Sequence, residues 1–385
     1  MGKIKWKTMA RNAGTKVRIS GKTLNKMHHH ESADGVGTDA DIISSYDSYK
    51  HAKTILILVI LVLAVILFGV DVGLGKYSLS FIDVYNIIFE RIFGIDYAGT
   101  QLDRTVVWEY RLPRVLTAVI AGFGLAVAGA AMQSMLKNPL ADPYTTGISS
   151  GAAFGATLSI TLGITLIDGD YGTVINAFVC AMIPALFIVG MSTYRKPSPA
   201  MIILAGTSLM YIFNALQSYF MLIADPDAAA GVYAWTVGNL SSASWSTVPL
   251  MFVITVIGSI VLMYMAKILN TMNSGDSYAR SIGINVNAAR IIILITISVL
   301  AAGIVSFTGI IGFVGLVGPH IARMFVGSDN KILIPAAGLM GSCVLLLADA
   351  VVQFVSTSIP VGIITSIIGG PLFLFLILRQ KKEVW

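Results

Sequence analysis

Apolar runs of about 20 residues recur along most of this chain, and they limit its possible folds more than any other feature. A helix of about 20 residues crosses the roughly 30 Å hydrocarbon core of a bilayer. The runs occupy residues 54–75, 112–136, 144–166, 172–193, 200–223, 248–269, 289–308, 310–326, 332–353 and 359–379. We therefore predict an all-α integral membrane protein with about ten transmembrane helices.

The composition agrees with a membrane protein and argues against other classes. Hydrophobic residues make up 56% of the chain and charged residues 12%, and the mean hydropathy is +0.80. The net charge of +6 does not indicate nucleic-acid binding, because most Lys and Arg residues lie at the ends of apolar runs, where they set orientation. Cys180 and Cys343 lie inside apolar runs, where we expect small buried residues rather than a disulfide or a metal site.

Residues 1–53 differ from the rest of the chain in being polar and basic. We predict a disordered cytoplasmic tail over 1–53 and one membrane domain over 54–382. The sequence Gly21-Lys22-Thr23 resembles the end of a phosphate-binding loop, but Lys16 stands where the first glycine is required. The adjacent histidines 28–30 fit a solvated linker better than a metal site, because nothing in the sequence orients them.

The distribution of positive charge predicts a multi-pass protein of the plasma membrane with both termini in the cytoplasm. Alternate loops, starting from the tail, carry Lys137, Arg195, Lys196, Lys267, Arg280, Arg290, Arg323, Lys331 and Arg379. The segment 76–114 is the exception, since it is predicted to be outside and yet ends in Arg104, Arg111 and Arg114. Arginines kept outside against the usual bias indicate either an anionic partner or anchoring to lipid headgroups.

The stretch 111–143 joins this arginine pair to a Pro-bounded turn at the opposite side of the membrane. Pro113 suits the first turn of a helix. From Arg114 to Lys137 a helix rises about 34 Å, which is enough to cross the bilayer. Gly122, Ala126 and Ala130 fall four residues apart and predict a small-residue ridge on which another helix packs closely.

The polar stretch 270–290 interrupts the second half of the chain and is predicted to lie inside. Ser274 or Asp276 can cap a short helix there, and Gly283 can end it. Two interpretations remain open from these residues alone. The stretch is either a surface helix that meets another protein or a simple connection between two spans.

Glycines and one acid mark the last third of the chain. Gly309, Gly312, Gly315 and Gly318 recur every three residues, which predicts close helix contacts or a broken, re-entrant segment. His320 is expected to be a hydrogen-bonded interior residue rather than a metal ligand. We interpret Asp349 as the one acid buried within an apolar run, near the outer end of its helix, where it either shapes a polar pathway or is packed and satisfied.

Several long motifs, in order and on the predicted sides, resemble one known family. They are RLPR at 111–114, KNPLADP at 137–143, TTGISSGAAFG at 145–155, W-x-x-G-x-L at 235–240, SGDSYARSIGI at 274–284, GFVGLVGPHIAR at 312–323 and PVGIITSIIGGPLFLFLI at 360–377. With these motifs the chain resembles the membrane-spanning permease subunit of type II ABC importers for iron–siderophore, haem and vitamin B12.

The resemblance implies a ten-helix subunit that works as a homodimer and is not itself an enzyme. Its implied partners are a second copy, two cytoplasmic ABC ATPase subunits, an extracellular or periplasmic substrate-binding protein, and membrane lipid. No cofactor is expected in this chain, because the partner ATPase binds ATP and Mg. The implied cargo is an iron complex (siderophore or haem) or cobalamin, passed inward by alternating access.

The resemblance also assigns roles to particular positions. Arg111 and Arg114 match arginines that dock the binding protein. Residues matching the helix that couples to the ATPase are Asp276, Tyr278, Ala279, Arg280, Ile282 and Gly283. Residues of the inner turn and gate are Asn138, Pro139, Asp142, Ser198, Pro199 and Ala200. Met132, Gln133 and Asp349 are expected to line the translocation path.

Two departures and one rival accompany this interpretation. The family commonly has Arg where this chain has Gln353, and often Glu where it has Ser358. Outer-face electrostatics are therefore expected to depend more on Arg111 and Arg114. The rival is an ion-coupled secondary transporter, which needs paired acids or histidines near the middle of the bilayer. The sequence presents Asp349 without such a partner.

Overall fold

The computed structural model describes residues 39–94, 99–191, 198–355 and 359–379, and all regular structure in these ranges is helical. The helices are α1 (Asp39–Gly73), α2 (Phe81–Phe93), α3 (Gln101–Thr105), α4 (Leu112–Leu136), α5 (Ile148–Leu162), α6 (Gly172–Met191), α7 (Pro199–Ile223), α8 (Pro226–Thr236), α9 (Val248–Tyr264), α10 (Ala266–Asn273), α11 (Asp276–Ser281), α12 (Val286–Thr308), α13 (Val314–Val326), α14 (Asn330–Val355) and α15 (Val361–Arg379). A π-helical turn (Val106–Arg111) joins α3 to α4, and a 3-10 turn (Pro143–Thr146) precedes α5.

Each of the ten predicted apolar runs contains a helix. Among the described residues, six helices are long and apolar enough to cross a membrane, and a seventh span results if α9 and α10, bent by 49°, count as one. The remaining three runs form the shorter apolar helices α5, α13 and Val361–Phe375 of α15. The chain is thus a multi-pass, all-helical membrane protein, and the prediction of ten full spans is confirmed only in part.

Helix boundaries differ from the prediction near the first two runs. The helix of the second run is continuous from Gln101 to Leu136, so the expectation that Pro113 lies in a first helical turn is wrong. Pro113 donates no N–H, and its ring crowds the carbonyl four residues earlier. The π-helical turn Val106–Arg111 is wider than an α-helical turn, so the helix continues past Pro113. Helices α2 and α8 lie outside the ten predicted apolar runs.

The N-terminal tail forms a unit of its own. Residues 1–52 and 53–385 separate into two compact units, and within the first the structure describes only the start of α1, from Asp39. The rest of the tail that was predicted to be disordered, residues 1–38, lies outside the described residues.

Helix α4 lies at the centre of the membrane domain. Its apolar window is 83% buried, against 17% for α7. A Cβ added to Gly122 would lie 2.5 Å from the carbonyl oxygen of Gly341 in α14, and one added to Gly129 would meet the backbone of Gly315 in α13. Ala126 packs against Gly341. The predicted small-residue ridge is therefore confirmed, and it lets three helices approach backbone to backbone.

The glycines between 309 and 318 serve two purposes. Gly309 ends α12 with φ 69°, and Phe313 begins α13 with φ 68°. The helical structure is therefore interrupted between the two helices. The side chain of Phe313 fits against Gly369, whose missing Cβ leaves the room for it. Gly315 and Gly318 then pack against α4. Both predicted features, a broken segment and close contact, are present.

Replacement of Gly122 or Gly341 by Ala tests the contact between α4 and α14. Because the added methyl group meets backbone that cannot rotate away, we expect a loss of about 1–3 kcal/mol in the free energy of unfolding. Thermal unfolding of the purified protein in detergent measures it. Gly190→Ala is the matched control, because a Cβ there meets nothing within 4 Å. Equal melting temperatures for all three variants would contradict the close contact.

Candidate functional site

Arg111 of the RLPR motif is buried at the end of α1. It is 5% exposed, and its guanidinium donates hydrogen bonds to the carbonyl oxygens of Val72 (3.4 Å), Gly73 (3.1 Å) and Tyr77 (2.5 Å). The last carbonyl groups of a helix have no partner within the helix, and a positive charge is favourable beside them. Arg111 therefore closes the C-terminal end of α1 and fixes the loop that follows.

Arg114, one turn later, forms a bidentate ion pair with Asp349 of α14. Its Nε lies 3.1 and 3.0 Å from the two carboxylate oxygens, and its Nη2 lies 2.6 Å from Oδ1. The Arg114 side chain is 11% exposed and that of Asp349 is 0% exposed. The remaining nitrogen, Nη1, donates to the Ser241 hydroxyl (3.2 Å). We call this side of the bundle the Arg114 end.

Gln353 connects the ion pair to a second buried acid. Its Nε2 donates to Asp71 Oδ1 (2.7 Å) and to Asp349 Oδ2 (3.2 Å), so two carboxylates are held beside one amide nitrogen. Asp71, near the end of α1, is 0% exposed, and among the described residues its Oδ2 has no hydrogen-bond partner. Two acids thus share one arginine. The position that commonly holds Arg in the resembling family carries Gln353, which joins both acids without neutralising either.

The interpretation of Asp349 as the one acid buried in an apolar run is wrong. Asp71 also lies inside such a run, the first, and it is buried against the same amide. Its signal in the sequence is a single acid in FGVDVG at the end of an apolar run, and only the packing of α1 on α14 brings it to Asp349. Ser358, the second departure, lies outside the described residues.

At the opposite side of the bundle, Asp276 joins three helices, and we call this side the Asp276 end. Its carboxylate lies 3.3 Å from Lys137 Nζ, at the end of α4, and 3.0 Å from Arg290 Nη2 in α12. Partial burial would raise the pKa of Asp276, but the hydrogen bonds and charges of Arg290 and Lys137 outweigh it and lower that pKa. The carboxylate is therefore held ionised between two cations.

The stretch that follows contains the short helix α11, so the helix is confirmed, and its contact with another protein stays a prediction. The proposed N-caps, Ser274 and Asp276, are wrong, because Gly275 stands at the N-cap and no side chain caps the helix. The predicted ending at Gly283 is confirmed by its φ of 90° just after the helix. Ala279 is buried, and it packs in a small cluster with Met272, Val286 and Ala289. Tyr278 and Ile282 are 54% and 55% exposed. Arg280 is exposed as well.

The predicted inner turn is stabilised by its own side chains. Asn138 Oδ1 accepts a hydrogen bond from the Leu140 amide (3.0 Å), on either side of Pro139. Asp142 Oδ1 accepts one from the Tyr144 amide (2.8 Å) and thereby caps the 3-10 turn that begins at Pro143. Burial raises the pKa of Asp142 to about 6. The turn is thus built by the sequence NPLADP itself.

The remaining predicted positions fall into two environments. Met132 and Gln133 of α4 are 0% exposed in the single chain, and among the described residues neither amide atom of Gln133 has a hydrogen-bond partner. Ser198 caps α7, because its hydroxyl accepts from the Met201 amide (3.2 Å), and Pro199 takes the first position of that helix. Ser198 and Ala200 are exposed.

Helix α7 presents polar side chains on an exposed surface, which the sequence analysis did not single out. Its buried residues are Ile202, Gly206 and Phe213. The exposed polar stripe of α7 consists of Ser208, Tyr211, Asn214, Ser218 and Tyr219. Polar groups are costly in lipid hydrocarbon, so such a stripe on a membrane helix normally faces protein or a water-filled cavity.

Comparison with known proteins identifies the family. The FecCD transport family matches residues 58–379. The chain belongs to the FecCD transport family. It is 34% identical to the hemin transport system permease HmuU of Yersinia pestis, over 84% of this chain and 95% of the relative. It is 36% identical to the cobalamin import system permease BtuC of Halobacterium salinarum, over 75% of this chain and 77% of the relative.

A solved structure agrees with this membership. It is an inward-facing ABC transporter described as being of the metal-chelate type, with a TM-score of 0.75 and 30% identity, over 84% of this chain and 99% of that chain. FecCD relatives are transport permeases, so the chain is a transport subunit rather than an enzyme. The iron-complex and cobalamin importer family inferred from the motifs is confirmed.

In this FecCD member, the two acids at the Arg114 end should respond differently to neutralisation. Asp349→Asn removes the carboxylate that forms the bidentate ion pair with the buried Arg114 guanidinium, and we expect a loss of about 3–5 kcal/mol in stability. Asp71→Asn keeps the acceptor for Gln353 and removes the surplus negative charge. We expect it to leave stability unchanged or to raise it.

Thermal unfolding in detergent, with near-ultraviolet circular dichroism as a check on packing, measures both variants. Asp83→Asn, a partly exposed carboxylate on α2, serves as a control for the loss of one negative charge. If Asp71→Asn destabilises the protein as strongly as Asp349→Asn, the two acids do not share one arginine in the way described.

Proposed function

We propose that this chain is the membrane-spanning subunit of an ATP-driven importer, which passes an iron complex or cobalamin from an external binding protein into the cytoplasm by alternating access. The observation that carries the proposal is α11 at the Asp276 end. A short helix with two exposed apolar side chains, Tyr278 and Ile282, stands outside the apolar runs and is joined by one carboxylate to α4 and α12.

Helix α11 is suited to contact an ATPase subunit and to move with it. Ile282 directly follows α11, and its amide donates to the Tyr278 carbonyl (3.3 Å), so the two exposed side chains lie one turn apart, where they can enter an apolar groove of a partner. Arg280 adds an exposed charge beside them. Ala279 and Gly283 are not free to bind, because Ala279 is buried and Gly283 forms the turn. The coupling role is thus divided between contact residues and framework residues.

A second copy of the chain would cover α7 and complete the path. In this proposal the three short helices α5, α13 and α15 also pass through the membrane, covered by protein at their broken ends, which makes ten spans in each copy. The polar stripe of α7 then faces the partner copy across a water-filled path. Met132 and Gln133, buried in α4, pack behind the residues that line this path. The gate lies at the start of α7 and is formed by Ser198, Pro199 and Ala200.

The Arg114 end is the proposed docking surface for the binding protein. Arg111 shapes this surface from within by holding the end of α1, while Arg114 is the residue that a carboxylate of the binding protein can reach. An incoming carboxylate would share Arg114 with Asp349 or replace it. The Asp276 end is then cytoplasmic, together with both termini.

The cargo class follows from relatives rather than from a pocket in this chain. The similar permeases carry hemin and cobalamin, and the similar solved structure is described as metal-chelate type. We therefore propose an iron chelate as the first substrate to test, with cobalamin second. ATP and Mg would be bound by the partner ATPase.

The paired acids Asp71 and Asp349 favour one alternative, an ion-coupled secondary transporter. Such transporters hold their acids near the middle of the bilayer. Asp71 lies two residues before the end of α1 and accepts a hydrogen bond from Gln353, while Asp349 is paired with Arg114. The position and the ion pair favour a structural role, and the importer remains the proposal.

Reconstitution tests the importer directly. The chain is placed in proteoliposomes with its ATPase and binding-protein partners, and ATP-dependent uptake of radiolabelled ferric siderophore and cobalamin is measured. Tyr278→Asp and Ile282→Asp place a charge where we propose an apolar groove, so we expect uptake to fall at least about tenfold. Binding of the external protein should not change.

Asn273→Asp, an exposed residue of the neighbouring α10, adds the same charge outside the proposed contact and should leave uptake near the wild-type level. Uptake that continues without ATP or the ATPase, and that follows a proton gradient instead, would overturn the importer and support the secondary transporter.

A further inference from the structure

Helix α2, which the sequence analysis did not predict, has three distinct sides. At about 100° per residue, the inward side carries Val84 and Ile87, which are 0% and 2% exposed. The polar side carries Asp83, Asn86 and Glu90. The third side, an arc of about 120°, is entirely apolar. Its residues, here called the apolar face of α2, are Phe81, Ile82, Tyr85, Phe89, Ile92 and Phe93, all of them exposed.

The position of α2 is set by its contacts with α1. A Cβ added to Gly69 would meet the Tyr85 hydroxyl, and one added to Gly73 would meet the Phe81 ring. Gly73 ends α1, and Gly69 lies about 6 Å further along that helix, towards the membrane. The last turns of α1 present Ile66 and other exposed apolar residues. The apolar face of α2 therefore continues the lipid-facing surface of α1.

The polar side of α2 is fixed to the rest of the Arg114 end. Glu90 accepts two hydrogen bonds from Arg104, each 2.9 Å long. The Arg91 guanidinium lies 5.6 Å from the centre of the Trp108 ring, and Trp108 packs against Trp245, with ring centres 5.1 Å apart. These contacts hold the helix so that the apolar face stays exposed, with Phe81 and Tyr85 at its edge against α1.

We propose that α2 is an interfacial helix whose apolar face lies in the boundary between headgroups and acyl chains at the Arg114 end. A helix with a wide apolar face and a separate polar side lies in the plane of the membrane. Its apolar face is then buried about 5–10 Å into the boundary between headgroups and acyl chains. Lipid is the occupant that fits, because the apolar face is continuous with the lipid-facing side of a membrane span. The insertion does not depend on the proposed transport function, although naming the leaflet as the outer one does.

Interfacial anchoring gives α2 a definite role at the Arg114 end. The helix holds the end of α1, which Arg111 closes, and through the ion pair of Glu90 with Arg104 it holds α3. The docking surface proposed above would thus be positioned by the bilayer as well as by the bundle.

Site-directed spin labelling of the full chain in lipid nanodiscs tests the insertion. In a background with Cys180→Ala and Cys343→Ala, single cysteines replace Phe89 or Ile92 on the apolar face and Asn86 on the polar side. We expect labels at Phe89→Cys and Ile92→Cys to be reached by oxygen and protected from a water-soluble nickel complex. The Asn86→Cys label should show the opposite, with the accessibility ratio differing several-fold.

Each other result overturns the proposal. Equal access of the nickel complex to all three labels would place the apolar face in water. Protection of Phe89→Cys and Ile92→Cys from both reagents would place protein over it, a second copy or another subunit. Two positions on the same face keep the test decisive if one variant does not fold. Because no ATPase, binding protein or substrate is present, the result is independent of the transport assay.

Discussion

The backbone contact between α4 and its neighbours is the interaction on which the rest of the structure depends. In lipid there is no hydrophobic force to bring helices together, so association relies on close packing and internal polar contacts. Gly122 and Gly129 let α14 and α13 touch the backbone of α4 directly. That contact places Arg114 beside Asp349 on α14, and the same central helix ends at Lys137, beside Asp276.

The two ends of α4 therefore carry matching arrangements. Each end has a basic side chain paired with an acid from another helix, Arg114 with Asp349 and Lys137 with Asp276. The first pair is buried and bidentate, whereas the second is partly exposed and shared with Arg290. A buried pair resists disruption, and an exposed pair is weaker and more easily exchanged. Because α4 is one continuous helix, it joins the two ion pairs directly.

Much of the fold could be predicted, because long apolar runs and small-residue spacing report the membrane and close helix contacts directly. The run 112–136 and the ridge from Gly122 follow from such patterns, whereas the polar stretch 270–290 left a surface helix and a simple connection both open. Helix α2 could not be predicted in this way, since its pattern is amphipathic and only 13 residues long. Asp71 and the internal pairing of Arg114 could not be predicted either, because both depend on which helices lie side by side. Sequence spacing identified the arginines as unusual, but their partners are tertiary.

The Gln353 amide has a consequence for how this chain can change during evolution. It donates to both Asp71 and Asp349, so a residue without an acceptor at position 71 or 349 would leave this buried amide with one partner fewer. An arginine at 353 would balance two acids, whereas with Asp71 lost it would leave two guanidinium groups beside one carboxylate. The residues at positions 71 and 353 should therefore covary among related chains. The order of the two substitutions determines whether the singly substituted chain is stable.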